Sequence, residues 1–256
     1  MSITNLTPTS ATGKIYTLEK ELGHGKYSVV YQGQQQISTP TSPHYAIKIP
    51  HIEIPRKYRQ NLVTFETEFF QKLNSPHFIK YIDHGLDIRT PYLVLEIIPE
   101  TIEDKIRNRT ITPQLIISFL KQIPNIIQEL AQHNLVHGDL RSKNIAYKNK
   151  TLIILDPLPE ITRKNPNLKN CPIDYAPEIK DSGTFSLQSD IFSLGKTFEY
   201  TLQTQQKIPT SLITLISEMT HPQPYRRPTP TQLSELCQET LFEIEKQHYS
   251  TKIGYA

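Results

Sequence analysis

The residues from His137 to Asn144, with the sequence HGDLRSKN, form the densest cluster of chemically active side chains in the chain. The carboxylate of Asp139 can accept a proton from an attacking hydroxyl group. Asn144 and Asp156, the latter at the end of the apolar run LIIL (152–155), carry hard oxygen donors suited to a Mg²⁺ ion that also holds phosphates. Any one of these residues would be unremarkable in a loop. The ordered set H-x-D-x-x-x-x-N, followed by an apolar strand that ends in Asp, is specific and indicates phosphate chemistry.

A glycine-rich stretch lies upstream, where Gly23, Gly25 and Ser28 form a G-x-G-x-x-S pattern with β-type residues on both sides. The chain has only nine glycines, and such a chain tends to keep glycine where the backbone geometry requires it. A dinucleotide-binding loop would open a helix. The β-type flanks instead predict a hairpin whose backbone lies over phosphates, although this stretch alone fits a tight glycine turn equally well.

Lys48 lies in the apolar segment YAIKI, one hairpin after the glycine stretch. An isolated lysine on a strand usually faces solvent. Beneath a phosphate-binding loop, however, it can hold phosphate oxygens if an acid keeps its side chain in place. Glu66 and Glu68 on the next helical segment are the candidates for that acid.

Short β-type segments dominate the first third of the chain, at 14–36, 44–50, 78–85 and 91–97, with one helical pattern over 58–73. Further helices are predicted over 113–132, 190–203, 211–219 and 229–247. Pro124 is expected to kink or split the first of these helices.

This order of elements predicts an α+β protein of two lobes joined near Pro99. The predicted parts are a disordered tail (1–12), a β-rich N-lobe (13–98), a mainly helical C-lobe (99–245) and a C-terminal tail (246–256). The Ser/Thr/Pro insert at 37–44 is expected to be an exposed hairpin loop.

Composition excludes several classes of protein. The chain has 256 residues, with 28 Lys and Arg against 25 Asp and Glu, a net charge of +3 that is too even for an electrostatic nucleic-acid binder. No apolar run approaches the roughly 18 residues of a membrane span, and the first residues, MSITNLTPTSATGK, lack the pattern of a signal peptide. Two cysteines cannot form a disulfide framework. We therefore expect a cytoplasmic protein with neither nucleic-acid nor membrane partners.

Over residues 15–237 the chain resembles the eukaryotic-like (Hanks-type) serine/threonine protein kinases, in a compact and divergent form. The matching motifs come in the family's order: GHGKYSVV, AIK, a helical Glu, HGDLRSKN, the Asp of DPL, YAPE (175–178), DIFSLG (190–195) and RRP (226–228). The resemblance implies a bilobal kinase fold. It also implies in-line transfer of the γ-phosphoryl group of ATP to a protein hydroxyl, with Mg²⁺ or Mn²⁺ as the metal.

The resemblance assigns a role to each catalytic position. Lys48 would hold the α- and β-phosphates and pair with Glu66 in preference to Glu68. Asp139 would be the catalytic base. Arg141 stands where serine/threonine kinases usually have a lysine that contacts the γ-phosphate. The metal ligands would be Asn144 and Asp156.

Further residues would bind the nucleotide or stabilise the C-lobe. Val30, Ala46 and Ala146 would sandwich the adenine, Leu95 would be the gatekeeper, and Glu96 to Ile98 would form the hinge that bonds the adenine edge. Gly23, Gly25 and Ser28 would cover the phosphates. Glu178 and Arg227 match a buried ion pair of the family, and Asp190 matches the acid that ties the catalytic loop to the central helix.

The sequence also departs from the family pattern. The usual D-F-G triplet is Asp156-Pro157-Leu158, and Gly138 replaces an arginine that receives the activation-segment phosphate in many regulated kinases. The segment from Asp156 to Glu178 is short. Only about eight residues separate the helices predicted to end near 203 and begin near 211, where the family usually fits another helix.

Other functions remain open on sequence alone. A pseudokinase would keep the fold without turnover, and the altered D-F-G triplet favours it. Small-molecule phosphotransferases of the aminoglycoside or choline type share HGD with a later Asn and Asp, but they usually lack the A-P-E and DxxSLG motifs found here. The segment DLRSKN favours serine/threonine over tyrosine specificity, although the tyrosine-kinase variant DLRAAN shares its arginine.

Overall fold

The computed structural model describes residues 10–36, 43–73, 75–86, 90–159, 163, 175–203, 205 and 208–253, with side chains as far as residue 246 in the last helix. Most of the insert predicted at 37–44 and residues 1–9 of the predicted tail lie outside these ranges. The chain divides into two compact units, Met1–Pro99 and Glu100–Ala256.

The first unit is an antiparallel sheet of five strands with one helix. The elements are β1 (Tyr16–His24), β2 (Ser28–Gln35), β3 (Tyr45–Pro50), α1 (Arg56–Lys72), β4 (Tyr81–Gly85) and β5 (Tyr92–Leu95). The strand order is β1-β2-β3-β5-β4. The strand predicted from residue 78 begins three residues later, because the chain still turns there, with the amide of Phe78 donating to the carbonyl of Ser75.

Strand register decides which side chains share a face of this sheet. Lys48 lies opposite Val30 on β2 and Leu93 on β5, and Ala46 lies opposite Leu95. Since cross-strand partners and alternate residues point to the same side, these five side chains lie on one face. The opposite face carries a separate core of Tyr16, Leu18, Ile47, Tyr92 and Val94.

Residues 10–12, the last part of the tail predicted over 1–12, make hydrogen bonds in the structure. The amide of Ala11 donates to the carbonyl of His84, and the hydroxyl of Thr12 donates to the carboxylate of Asp83. Asp83 is fully buried and also accepts a bond of 3.0 Å from the hydroxyl of Tyr16. Burial alone would raise the pKa of Asp83, but the hydroxyls of Ser10, Thr12 and Tyr16 and the amide of His84 hold it below its usual value. A buried carboxylate therefore fixes this part of the chain to β4.

The second unit is mainly helical. Its helices are α2 (Ile102–Arg107), α3 (Pro113–Gln132), α4 (Pro177–Ser182), α5 (Leu187–Leu202), α6 (Thr210–Met219) and α7 (Pro230–Ile253). A hairpin of β6 (Ile145–Lys148) and β7 (Thr151–Ile154) follows a 3-10 turn at Ser142–Asn144, and a second 3-10 turn lies at Pro224–Arg226. The last helix continues to Ile253, beyond the predicted domain boundary at 245 and the predicted helix end at 247.

Helix α3 is continuous through Pro124, so of the kink or split predicted for this proline the split does not occur. A proline inside a helix removes one backbone hydrogen bond, and burial of the apolar side of the helix offsets that loss. Ile123, Ile126 and Ile127 are all buried beside it, and Phe119 stacks on Phe198 of α5 at 5.2 Å between ring centroids.

Gly195 of the DIFSLG motif brings α5 close to the end of α6. A Cβ atom added at this position would lie 2.7 Å from Cγ2 of Thr220 and 2.8 Å from Cβ of Met219. Real Cβ atoms do not approach side-chain carbons that closely, so packing alone requires glycine here. In the part of the chain that the structure describes, no helix is both long and apolar enough to cross a membrane.

Candidate active site

The glycine stretch forms the tip of the β1–β2 hairpin. The amide of Gly25 donates to the carbonyl of Ser28 at 2.8 Å, and the carbonyl of Gly25 lies 2.8 Å from Nε2 of His51. Gly23 pairs with Val30 across the hairpin, and a Cβ atom added at Gly23 would meet no atom of the described residues within 4 Å. The packing described for this hairpin therefore does not require glycine at position 23.

Lys48 and Glu66 form a nearly buried ion pair. The Lys48 ammonium lies 2.8 Å from both carboxylate oxygens of Glu66. The Lys48 side chain is 13% exposed and that of Glu66 is 8% exposed. Glu68 lies on the exposed side of α1. Of the two glutamates considered from sequence, the structure thus brings Glu66 to Lys48.

The first unit also carries the residues predicted to contact adenine. Val30, Ala46 and Leu95 share the sheet face of Lys48, and Ala46 and Leu95 are buried. The amide of Glu96 donates to the carbonyl of Lys80, so a hinge amide that donates to a nucleotide has to come from another residue of 96–98. Ile98 lies within this extended segment, before Pro99.

In the second unit, Asp139 is held by its neighbours on both carboxylate oxygens. The amide nitrogen of Asn144 donates to Oδ2 of Asp139 at 2.7 Å and to its backbone carbonyl at 2.9 Å. The hydroxyl of Tyr175 donates to Oδ1 at 3.1 Å. Nε of Arg141 lies 3.0 Å from the same oxygen without hydrogen-bond geometry, so this contact is an ion pair.

Asn144 and Asp156 carry the oxygen atoms predicted to ligate a metal. Because both bonds of Asn144 to Asp139 use its nitrogen, the side-chain oxygen Oδ1 is the atom suited to a cation. Asp156 is exposed and has a φ of +51°, a left-handed conformation that is uncommon for residues other than glycine. The amide of Leu155 donates to the Asn144 carbonyl at 2.9 Å and ties the two positions together.

This donor set fits Mg²⁺, which proteins usually hold through one or two carboxylates together with substrate phosphates. Among the described residues no group of three or more His, Cys, Asp or Glu side chains is suited to a metal ion. A metal held by Asn144 and Asp156 would take its further oxygen ligands from substrate phosphates or water. Ala146, predicted to line the adenine site, is fully buried in β6 and bridges to Thr101.

Asp190 holds the backbone at the start of residues 137–144, the stretch that the resemblance makes the catalytic loop. Its two carboxylate oxygens accept the amides of His137 at 2.7 Å and Gly138 at 2.8 Å. Burial raises the pKa of Asp190 to about 7, against the opposing effect of these two amides. Burial also lowers the pKa of His137 to about 4, so this imidazole is neutral at pH 7. Neutral His137 bonds the Leu155 carbonyl through Nε2 and accepts the Asp139 amide at Nδ1.

Glu178 and Arg227 form the buried ion pair that the resemblance predicts. The two guanidinium Nη atoms donate to the two carboxylate oxygens at 2.6 Å and 2.8 Å. The Arg227 side chain has no exposed surface, and its guanidinium lies 4.8 Å from the ring centroid of Phe192.

Two contacts to the catalytic loop were not predicted from the sequence. Tyr175 lies 36 residues from Asp139, and only its place in YAPE drew attention to it. Arg163 donates to backbone carbonyls of residues 136, 137 and 158, and it carried no motif signal. Such contacts join residues far apart in the sequence, so the spacing of motif residues does not predict them.

A family model described as protein tyrosine and serine/threonine kinase matches residues 16–199. The chain belongs to this family. It is 27% identical over 193 residues to myosin light chain kinase A of Dictyostelium discoideum, covering 71% of this chain and 64% of that protein.

Two other relatives are similarly distant. Serine/threonine-protein kinase ULK3 of Homo sapiens is 25% identical over 70% of this chain and 40% of its own length. Tyrosine-protein kinase Fer of Mus musculus is 26% identical over 70% of this chain and 22% of its own length. The chain therefore spans less than two thirds of the length of these curated relatives.

Proposed function

We propose that the protein transfers the γ-phosphoryl group of ATP to a serine or threonine hydroxyl of a protein acceptor, in a reaction that needs Mg²⁺ or Mn²⁺. The observation that carries this proposal is the pair of bonds from Asn144 to Asp139. They orient the carboxylate that would take the hydroxyl proton, and they leave Oδ1 of Asn144 as the atom that would bind a metal. Proton acceptor and metal ligand are thus oriented by one side chain.

The first unit would bind the nucleotide. Glu66 holds the Lys48 ammonium in place, so Lys48 would meet the α- and β-phosphates at little further entropic cost. The unfilled space at Gly23 suits a backbone that lies close to phosphates. Val30, Ala46 and Leu95 would form the apolar surface for adenine on the same face of the sheet as Lys48.

The second unit would carry the chemistry. Asp139 would orient the acceptor hydroxyl and receive its proton as the bond to the γ-phosphorus forms. Arg141, already paired with Asp139, would neutralise charge on the transferred group. Asn144 and Asp156 would hold the metal, whose contribution is to neutralise charge on the β- and γ-phosphate oxygens.

Serine/threonine specificity is supported by the basic DLRSKN segment and by the relative ULK3, which is named as a serine/threonine kinase, whereas Fer is named as a tyrosine kinase. Phosphoamino-acid analysis of the labelled acceptor separates the two. We expect phosphoserine or phosphothreonine, and phosphotyrosine alone would contradict the specificity.

The proposal is tested by incubating the purified chain with γ-labelled ATP, Mg²⁺ and a basic protein acceptor. Asp139→Asn is the test variant, and Asp181→Asn, the same change at an exposed residue of α4, is the matched control. We expect transfer by the wild type and the control and its loss in Asp139→Asn. Folded wild type that shows neither transfer nor Mg-dependent stabilisation by ATP would instead indicate a pseudokinase.

A further inference from the structure

Arg163 connects three parts of the second unit through one side chain. Its Nε donates to the carbonyl of Leu158 at 2.9 Å, and its Nη2 lies 2.6 Å from the carbonyl of Val136 and 3.4 Å from that of His137. Its guanidinium carbon lies 5.3 Å from the ring centroid of Phe185. The side chain thus joins the activation segment, which begins at Asp156, to the residues just before Asp139.

Gly138 provides the space for this guanidinium. Its φ is +81°, a left-handed conformation that a residue with a Cβ atom rarely adopts. A Cβ atom there would lie 3.3 Å from both Nε and Nη2 of Arg163. The catalytic loop therefore has no side chain at position 138. The guanidinium of Arg163, from the activation segment, lies next to this position.

The described hydrogen-bond acceptors of Arg163 are backbone carbonyl oxygens of residues 136, 137 and 158. A second link lies beside them, because the amide of Leu158 donates to the carbonyl of His137 at 2.8 Å. The side chain of Arg163 and the backbone of Leu158 thus bond the same part of the catalytic loop.

We propose that Arg163 is a positioning residue that joins the activation segment to the catalytic loop and so fixes the backbone next to Asp139. The effect of Arg163 on kcat rests on the proposed phosphotransfer. The link between the activation segment and the catalytic loop can be measured without any activity. Arg163 acts through the backbone of residues 136–138 on the placement of Asp139.

The kinetic test compares Arg163→Ala with Arg163→Lys and with Arg107→Ala, whose side chain is 68% exposed. Losing charge-assisted bonds from one guanidinium should lower kcat by about 10- to 100-fold in Arg163→Ala. The KM for ATP should stay within about twofold, because the described contacts of Arg163 are with residues 136, 137, 158 and 185, none of which is assigned to the nucleotide. Added guanidinium ion should restore part of the kcat of Arg163→Ala, and Arg163→Lys should be intermediate. A kcat within about twofold of wild type in Arg163→Ala would overturn the proposal.

Coupling to Gly138 gives a second kinetic measurement. Gly138→Ala should lower kcat in the wild type, since its Cβ would press on the guanidinium, and should have a smaller effect in the Arg163→Ala background. Additive effects of the two substitutions would contradict the contact.

Hydrogen–deuterium exchange tests the joining independently of turnover. In Arg163→Ala we expect faster exchange of the amides of residues 136–138 and of Leu158, which lies between two prolines, and unchanged exchange in α7. If the wild type transfers no phosphoryl group but exchange is faster in Arg163→Ala than in wild type, the proposed function fails and the structural role of Arg163 is confirmed. If transfer occurs and neither exchange nor kcat responds, the inference alone fails.

Discussion

Replacing Glu178 by alanine tests the buried ion pair with Arg227 most severely. Arg227 uses all of its donors: two on Glu178, and one each on the carbonyls of His221, Gln188 and Pro222. Glu178→Ala removes the only charge paired with it in the described structure and leaves a guanidinium with no exposed surface. Breaking such a pair from one side costs about 3–5 kcal/mol.

The three carbonyl bonds and the ring of Phe192 remain in that variant, so the lower end of this range is the expected value, about 3 kcal/mol. For a protein of this size the range corresponds to a fall in Tm of roughly 6–20 °C. Glu178→Gln keeps the shape of the side chain without its charge and should lose about half as much.

Urea denaturation followed by helical circular dichroism gives the free energies of unfolding. Removing both charges, as in Glu178→Leu with Arg227→Met, should cost less than the two single substitutions added together, because no buried charge is left alone. A loss below about 1 kcal/mol for Glu178→Ala, or strictly additive effects in the double variant, would refute the reasoning.

Three further perturbations test other parts of the molecule. Glu66→Gln should lower kcat/KM for ATP by about tenfold, because Lys48 loses its charged partner, whereas Glu68→Gln on the exposed side of α1 should change it less than about twofold in the same steady-state assay. The pKa of Asp83 is lowered in the fold, so its stabilising contribution is present above the unfolded value of about 3.9 and is lost as pH falls through the folded value. Wild type should therefore lose more stability than Asp83→Asn between pH 5 and pH 3 in urea titrations, and parallel curves would contradict this. Gly195→Ala should cost about 1–3 kcal/mol by crowding the end of α6, and an unchanged urea midpoint would contradict the close approach.

The main features of the fold followed from local patterns in the sequence. Alternating and helical periodicity predicted the sheet, α1 and the later helices, because each periodicity reflects one buried face. The pairing of Lys48 with Glu66 rather than Glu68 was also predicted, from the resemblance, and the structure brings these two side chains together at 2.8 Å. Gly23 and Gly25 lie at the tip of a hairpin, as the flanking β-type residues indicated.

What the sequence did not predict depends on contacts distant in the chain. Thr12 donates to Asp83 across 71 residues, a contact that the polar composition around Thr12 gives no means of predicting. Helix α3 tolerates Pro124 because its neighbours are buried, a property of the surrounding helices rather than of the proline. Arg163 had no periodicity or motif, and its partners are backbone carbonyls, which every residue has.

The most direct test is the steady-state kcat of acceptor phosphorylation at saturating Mg-ATP, measured for wild type and Asp139→Asn under identical conditions. If Asp139 takes the hydroxyl proton while Asn144 holds its carboxylate, kcat should fall about 100-fold or more, with Mg-ATP still stabilising the variant against heat. Equal rates in the two proteins would contradict the assignment of Asp139.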